Sequence, residues 1–124
     1  MQQSKEYAEI GQRLISTLSE LNDIKDVSIV YLSSEQQKKR NGKIIYGQCV
    51  KVANNYKWCC PADFMVIIYD QNIAGFNDKQ IETLIRHELH HIGVRQTTKG
   101  ESYYIVPHDV EEFEEILKDC GYIS

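Results

Sequence analysis

No apolar run in the 124-residue chain approaches the roughly 20 residues that a membrane helix needs. The opening residues, MQQSKEYAEIGQRL, are polar with periodic apolar positions, not a charged stub followed by an apolar block. Neither membrane spanning nor export through a cleaved leader is therefore expected. The four cysteines, Cys49, Cys59, Cys60 and Cys120, lack any CxxC spacing, and two of them are adjacent. Reduced thiols in a cytoplasm are the expectation, not a disulfide framework. An excess of positive charge is missing too, with 14 basic against 18 acidic side chains and a formal charge of −4. That balance offers no general attraction to nucleic acid or to anionic lipid.

Internal repeats, linkers and low-complexity stretches are also lacking, so one domain spanning residues 1–124 is expected. Hydrophobic residues at 42% and charged residues at 26% match an ordinary soluble domain. A chain of this length buries roughly two-thirds of its unfolded surface, enough for an independent core.

Tyr7, Ile10, Leu14, Leu18 and Leu21 recur at spacings of three and four and predict a helix over residues 4–21, capped by Ser4 and leaving at Asn22-Asp23. VSIVYL, residues 27–32, is a β-branched and aromatic run and reads as a strand. SSEQQKKRNG follows, polar and ending in the strong turn pair Asn41-Gly42. KIIYGQCVKVA, residues 43–53, is a second strand, in which Gly47 marks a bulge or a close backbone approach. DFMVIIY, residues 63–69, is continuously apolar, which places it inside the sheet. The fold class predicted is α+β, with a three-stranded, mostly antiparallel sheet between an N-terminal and later helices.

Histidine is scarce, and three of its four copies fall in one pentapeptide. His87-Glu88-Leu89-His90-His91 has the HExxH spacing. Ile81, Leu84, Ile85, Leu89 and Ile92 give the segment a helical stripe, with Asn77 or Asp78 at its start and Gly93 at its end. At about 100° per residue, His87 and His91 share one edge of that stripe with Glu88 beside them. His90 points the other way, with Lys79 and Arg86, and reads as a solvated surface residue. Two imidazoles one turn apart form half of a catalytic zinc site. Glu88 is then placed as general base toward an attacking water and as proton donor to the leaving amine.

A catalytic zinc site needs a third protein ligand. A histidine six residues beyond His91 is excluded, because Thr97 stands there. His108 is the assigned ligand, in IVPHDVEEF, on backbone fixed in part by Pro107 and just ahead of a final helix striped by Val110, Phe113, Leu117 and Cys120. Glu111, Glu112 and Asp109 are the alternatives; Glu111 and Asp109 also read as an acid near a helix N-terminus and a helix cap.

Weaker signals have blander readings. Lys38, Lys39 and Arg40 form a basic knot, read as a solvated loop. Cys59 and Cys60 read as half-buried loop thiols, and Trp58 as a packing residue near the sheet edge. Tyr103 and Tyr104 precede His108, and one of them is a weak candidate for polarising a substrate carbonyl.

The strand DFMVIIYD, the helix LIRHELHHIG and the later PHDVEEF together resemble the phage metallopeptidases, grouped with the SprT-like zincins; GKIIYGQCVKV resembles their glycine-containing strand. The similarity runs over about residues 27 to 117. It implies a minimal zincin-like fold with an HExxH active-site helix and a closing C-terminal helix. It also implies zinc on His87, His91 and His108, and Glu88 as catalytic base. The function expected is a cytoplasmic zinc metallopeptidase acting on a protein or peptide substrate, with nucleic acid and membrane not expected as partners. The alternative is a catalytically silent, zinc-stabilised interaction module of phage or prophage origin.

Overall fold

The computed structural model of the protein describes residues 1–107. Along them run β1 (Gln2–Gln3), α1 (Lys5–Thr17), β2 (Ile29–Ser34), a small hairpin of β3 (Lys39–Arg40) and β4 (Lys43–Ile44), β5 (Gly47–Lys51) and β6 (Phe64–Tyr69). Helix α2 (Asp78–Leu89) and a second hairpin, β7 (Ile92–Thr97) with β8 (Gly100–Ile105), complete the order. The expected C-terminal helix lies outside the described residues, as do His108, Asp109, Glu111, Glu112 and Cys120. None of the described helices is long and apolar enough to cross a membrane.

Ser4 starts α1 by accepting a hydrogen bond from the Tyr7 amide at 3.2 Å, a cap worth ~1 kcal/mol. The helix ends at Thr17, short of the expected Leu21. Ser16 and Thr17 turn their hydroxyls back onto the Arg13 carbonyl at 2.9 and 2.8 Å, a local bond that competes with helix continuation. Leu18 is extended, and a 3-10 segment, Ser19–Ile24, then brings Leu21 and Ile24 into the core. The stripe was legible because spacings of three suit both kinds of helix.

The sheet is ordered β1-β2-β6-β5. β2 runs parallel to β6, with Tyr31 opposite Val66, while β5 is antiparallel, with Cys49 opposite the same Val66. The α+β class therefore holds, but the sheet is four-stranded and mixed, not three-stranded and mostly antiparallel. Strand direction leaves no trace in an alternation pattern, and β1 is too short to show one. β6 is interior as expected, and Phe64, Val66 and Ile68 are fully buried from it. They meet Leu84, Ile85 and Leu89 of α2 and the buried face of α1 in one cluster. Each such side chain contributes ~1.5–3 kcal/mol by leaving water.

The Asn41-Gly42 turn forms as expected, both residues at positive φ (53° and 77°), the geometry that a tight hairpin requires. The second strand is split into β4 and β5. Between them Asn72 donates to the carbonyls of Lys38 and Ile45 at 3.0 and 2.7 Å, fastening the small hairpin to the sheet. Trp58, expected to pack, is instead 85% exposed in the loop between β5 and β6.

Where α1 crosses the sheet, Gly11 touches the Tyr31 ring so closely that a Cβ there would overlap it. The Tyr31 hydroxyl is buried with no hydrogen-bond partner among the described residues. Gly11→Ala is expected to lower the unfolding midpoint, because overpacking costs ~1–3 kcal/mol against a helix-propensity gain of at most ~1 kcal/mol. Tyr31→Phe is expected to leave the midpoint unchanged or raise it, since it removes an unpaired buried hydroxyl. Thermal denaturation of both variants beside the wild type checks the pair.

Candidate metal centre

Helix α2 begins with a reciprocal capping box. The Gln80 amide donates to Asn77 Oδ1 at 2.8 Å, and the Asn77 amide donates to Gln80 Oε1 at 2.7 Å. That start sets the phase of the helix and, with it, which side chains of HELHH point inward. His87 and Glu88 are buried, at 9% and 4% exposure. The α-helix stops at Leu89, with His90 as C-cap, so it ends before His91 and not at Gly93. The His91 amide still bonds the Glu88 carbonyl at 3.1 Å, which keeps His91 one turn from His87. Gly93 instead belongs to β7 and lies under the Tyr104 ring, where a Cβ would overlap it.

One nitrogen or oxygen each from His87, Glu88 and His91 lies within 4.8 Å of the others. The imidazoles stand edge to face with centroids 5.0 Å apart. His91 Nδ1 is 2.6 Å from the Val106 carbonyl oxygen. A carbonyl only accepts, so Nδ1 carries the proton and the Nε2 lone pair faces the cluster, 3.8 Å from Glu88 Oε1. The Val106 amide returns a bond to the His91 carbonyl at 2.7 Å, closing a two-bond clasp.

The Glu88 carboxyl is pushed up to about 8, because burial penalises its charged form. No lysine or arginine among the described residues is within ion-pair range of it. Gly47 explains how β5 fits above it: a Cβ there would lie 3.2 Å from Glu88 Oε2 and 3.2 Å from Ile68 Cδ1. The glycine expected to mark a close approach does so, against the carboxylate. Beside it, the Cys49 thiol is pushed up to about 12 by burial and, less, by the Glu88 charge. Cys49 is partly buried and packs against the core. Two imidazoles and a carboxylate, His87 and Glu88 buried and His91 partly so, are a donor set that fits a divalent metal of borderline softness.

The remaining assignments sort themselves. His90 leaves the cluster, as its helical phase predicts, and lies 3.2 Å from Glu20, which Arg86 also engages. Tyr103 packs against Phe64 at 6.1 Å between centroids, and Tyr104 covers Gly93 and carries Arg95 on its face at 4.9 Å. His108 lies outside the described residues. The Val106 carbonyl is the functional group that sequence reading missed, because a backbone acceptor has no residue signature. Only the run of β-branched and aromatic residues on either side of Thr97–Gly100 hints at the hairpin that delivers it.

Metal content separates the histidines. His87→Ala and His91→Ala should each purify with little or no divalent metal, whereas His90→Ala should match the wild type by elemental analysis.

Searches of the curated proteins and of the solved structures found no match. A family model described as "Putative phage metallopeptidase" matches residues 1–123, a description that implies a bound metal and peptide bonds as the target. With residues 1–123 matched, and with His87, Glu88 and His91 gathered at the end of α2 and just beyond it, the protein belongs to this phage metallopeptidase family.

Proposed function

We propose that the protein is a zinc endopeptidase of the SprT-like zincin type, acting in the host cytoplasm, with His87, His91 and His108 as zinc ligands and Glu88 as general base. The observation that carries this reading is the convergence of two imidazoles and a buried carboxylate beneath an edge strand. Zinc, when bound, supplies a Lewis acid for the scissile carbonyl and lowers the pKa of water.

The chain supplies the rest. Glu88 takes the proton of the attacking water on its carboxylate and hands it to the leaving nitrogen. His91 is held in one tautomer by the Val106 carbonyl, so its ring need not reorient. The assignment of His108 draws support from the same clasp. Val106 is fixed against His91, and two further residues extend at most ~7 Å.

β5 ends the sheet order, and no described strand pairs with its far side. Tyr46 and Val52 turn their backbone groups toward β6, bonding Tyr69 and Asp63. By the alternation of an antiparallel ladder, Gly47, Cys49 and Lys51 turn theirs outward. An extended peptide adding to that edge would find Gly47 beside Glu88, which sets the cut at that end of the strand.

Two variants test the roles. Glu88→Gln should retain zinc and lose peptide cleavage by a factor of ~10² or more, and cleavage at the wild-type rate would refute its role. His108→Ala should lose zinc; zinc retained there would move the third ligand to Asp109, Glu111 or Glu112. A zinc-loaded wild type that cuts no peptide would leave the silent interaction module as the better reading.

A further inference from the structure

Between Gln36 and Ala62 the chain has no acidic residue and six basic ones, Lys38, Lys39, Arg40, Lys43, Lys51 and Lys57. The rest of the chain therefore carries 8 basic residues against all 18 acidic ones. This segment is also a structural unit: the β3–β4 hairpin, the edge strand β5 and the loop that follows it. Lys57 is engaged by Asp63 at 3.0 Å. The other five bases form no ion pair among the described residues, and Lys39, Arg40, Lys43 and Lys51 are exposed.

Their placement follows the edge. The hairpin joins β5 just ahead of Gly47, at the Glu88 end, and Asn72 holds its base. At the far end Lys51 closes the strand, and the loop beyond it exposes Tyr56 and Trp58, at 59% and 85%. An unpaired strand edge thus runs between two cationic ends, one of them with bare aromatic rings. Uncompensated charge on one side of an otherwise acidic molecule gives a directed field, and exposed aromatic side chains are the usual anchors of recognition surfaces.

Resting on the peptidase reading above, we propose that this edge selects acidic polypeptide: a segment bearing aspartate or glutamate on both sides of the bond at Gly47, read by Lys39, Arg40 and Lys43 at one end and by Lys51 with Trp58 at the other. Polypeptide is favoured over nucleic acid because the outward groups of Gly47, Cys49 and Lys51 match a peptide backbone. A long polyanion would also meet the acidic remainder of the surface, whereas a short acidic segment sees only the local bases.

Trp58 is the chain's one tryptophan, so its fluorescence reports docking without any need for cleavage. The experiment titrates full-length Glu88→Gln protein with acidic, neutral and basic peptides of equal length, and with a single-stranded oligonucleotide, at low and moderate salt. The acidic peptide should shift Trp58 emission and bind about tenfold or more tighter than the neutral one, with the advantage shrinking as salt rises. Lys39→Glu combined with Arg40→Glu should remove most of that advantage while the unfolding midpoint stays at its wild-type value. Equal binding of all three peptides overturns the proposal, as does an oligonucleotide that outcompetes the acidic peptide. If wild-type protein cuts neutral peptides as well as acidic ones, the proposal falls and the peptidase reading stands. If acidic peptide binds as described but nothing is cut, the peptidase reading falls and the acidic-segment site stands.

Discussion

A carboxylate removed from water must find a cation, a set of donors or a proton. Glu88 is held under that constraint by nearly everything around it. The capping box at Asn77 and Gln80 sets the helix phase that turns Glu88 inward. Leu84, Ile85 and Leu89 fasten the helix to the sheet with no exposed surface of their own. Gly47 is the gap in β5 through which the carboxylate fits. This arrangement makes sense once the buried acid is given two imidazoles and a divalent cation to face.

What was legible in the sequence is what depends on neighbours three or four positions away. The stripes of both helices, the inward pair His87 and His91, and the outward His90 follow from helical phase, and of the two cap candidates, Asn77 and Asp78, Asn77 makes the cap. The interior position of β6 follows from its continuous apolarity, and the first turn from Asn41-Gly42. Gly47 in mid-strand reads as a bulge or a close approach, and the structure shows the close approach. These features share one property: a short local pattern determines them, whatever the rest of the fold does.

What was not legible depends on partners distant in sequence. The parallel pairing of Tyr31 with Val66 joins strands separated by β5, and no alternation records direction. The helix stops before His91, although its stripe continues through Ile92, because Ile92 and Gly93 pair with Ile105 and Tyr104 of β8. Tertiary pairing there outcompetes a modest helical preference. Trp58 reads as a packing residue near the sheet edge, but it is 85% exposed in the loop after β5, and no local pattern records that.

The metal centre and the second hairpin are mechanically one object. His91 sits at the junction of α2 and β7, and both of its bonds to Val106 lie at the end of β8. A metal held through His91 Nε2 would therefore also fix the end of the hairpin, and anything that loosens the hairpin would free the His91 ring. Orienting partners of ligand histidines are worth about 10–100-fold in metal affinity, so with a metal on His91 the backbone at Val106 would carry weight that its side chain does not. The coupling also runs the other way: ligands that bind only the folded state stabilise it in proportion to their occupancy. A metal at this centre would accordingly stabilise β7 and β8, whose outer residues are exposed and make few core contacts, more than the sheet, whose core is complete without it.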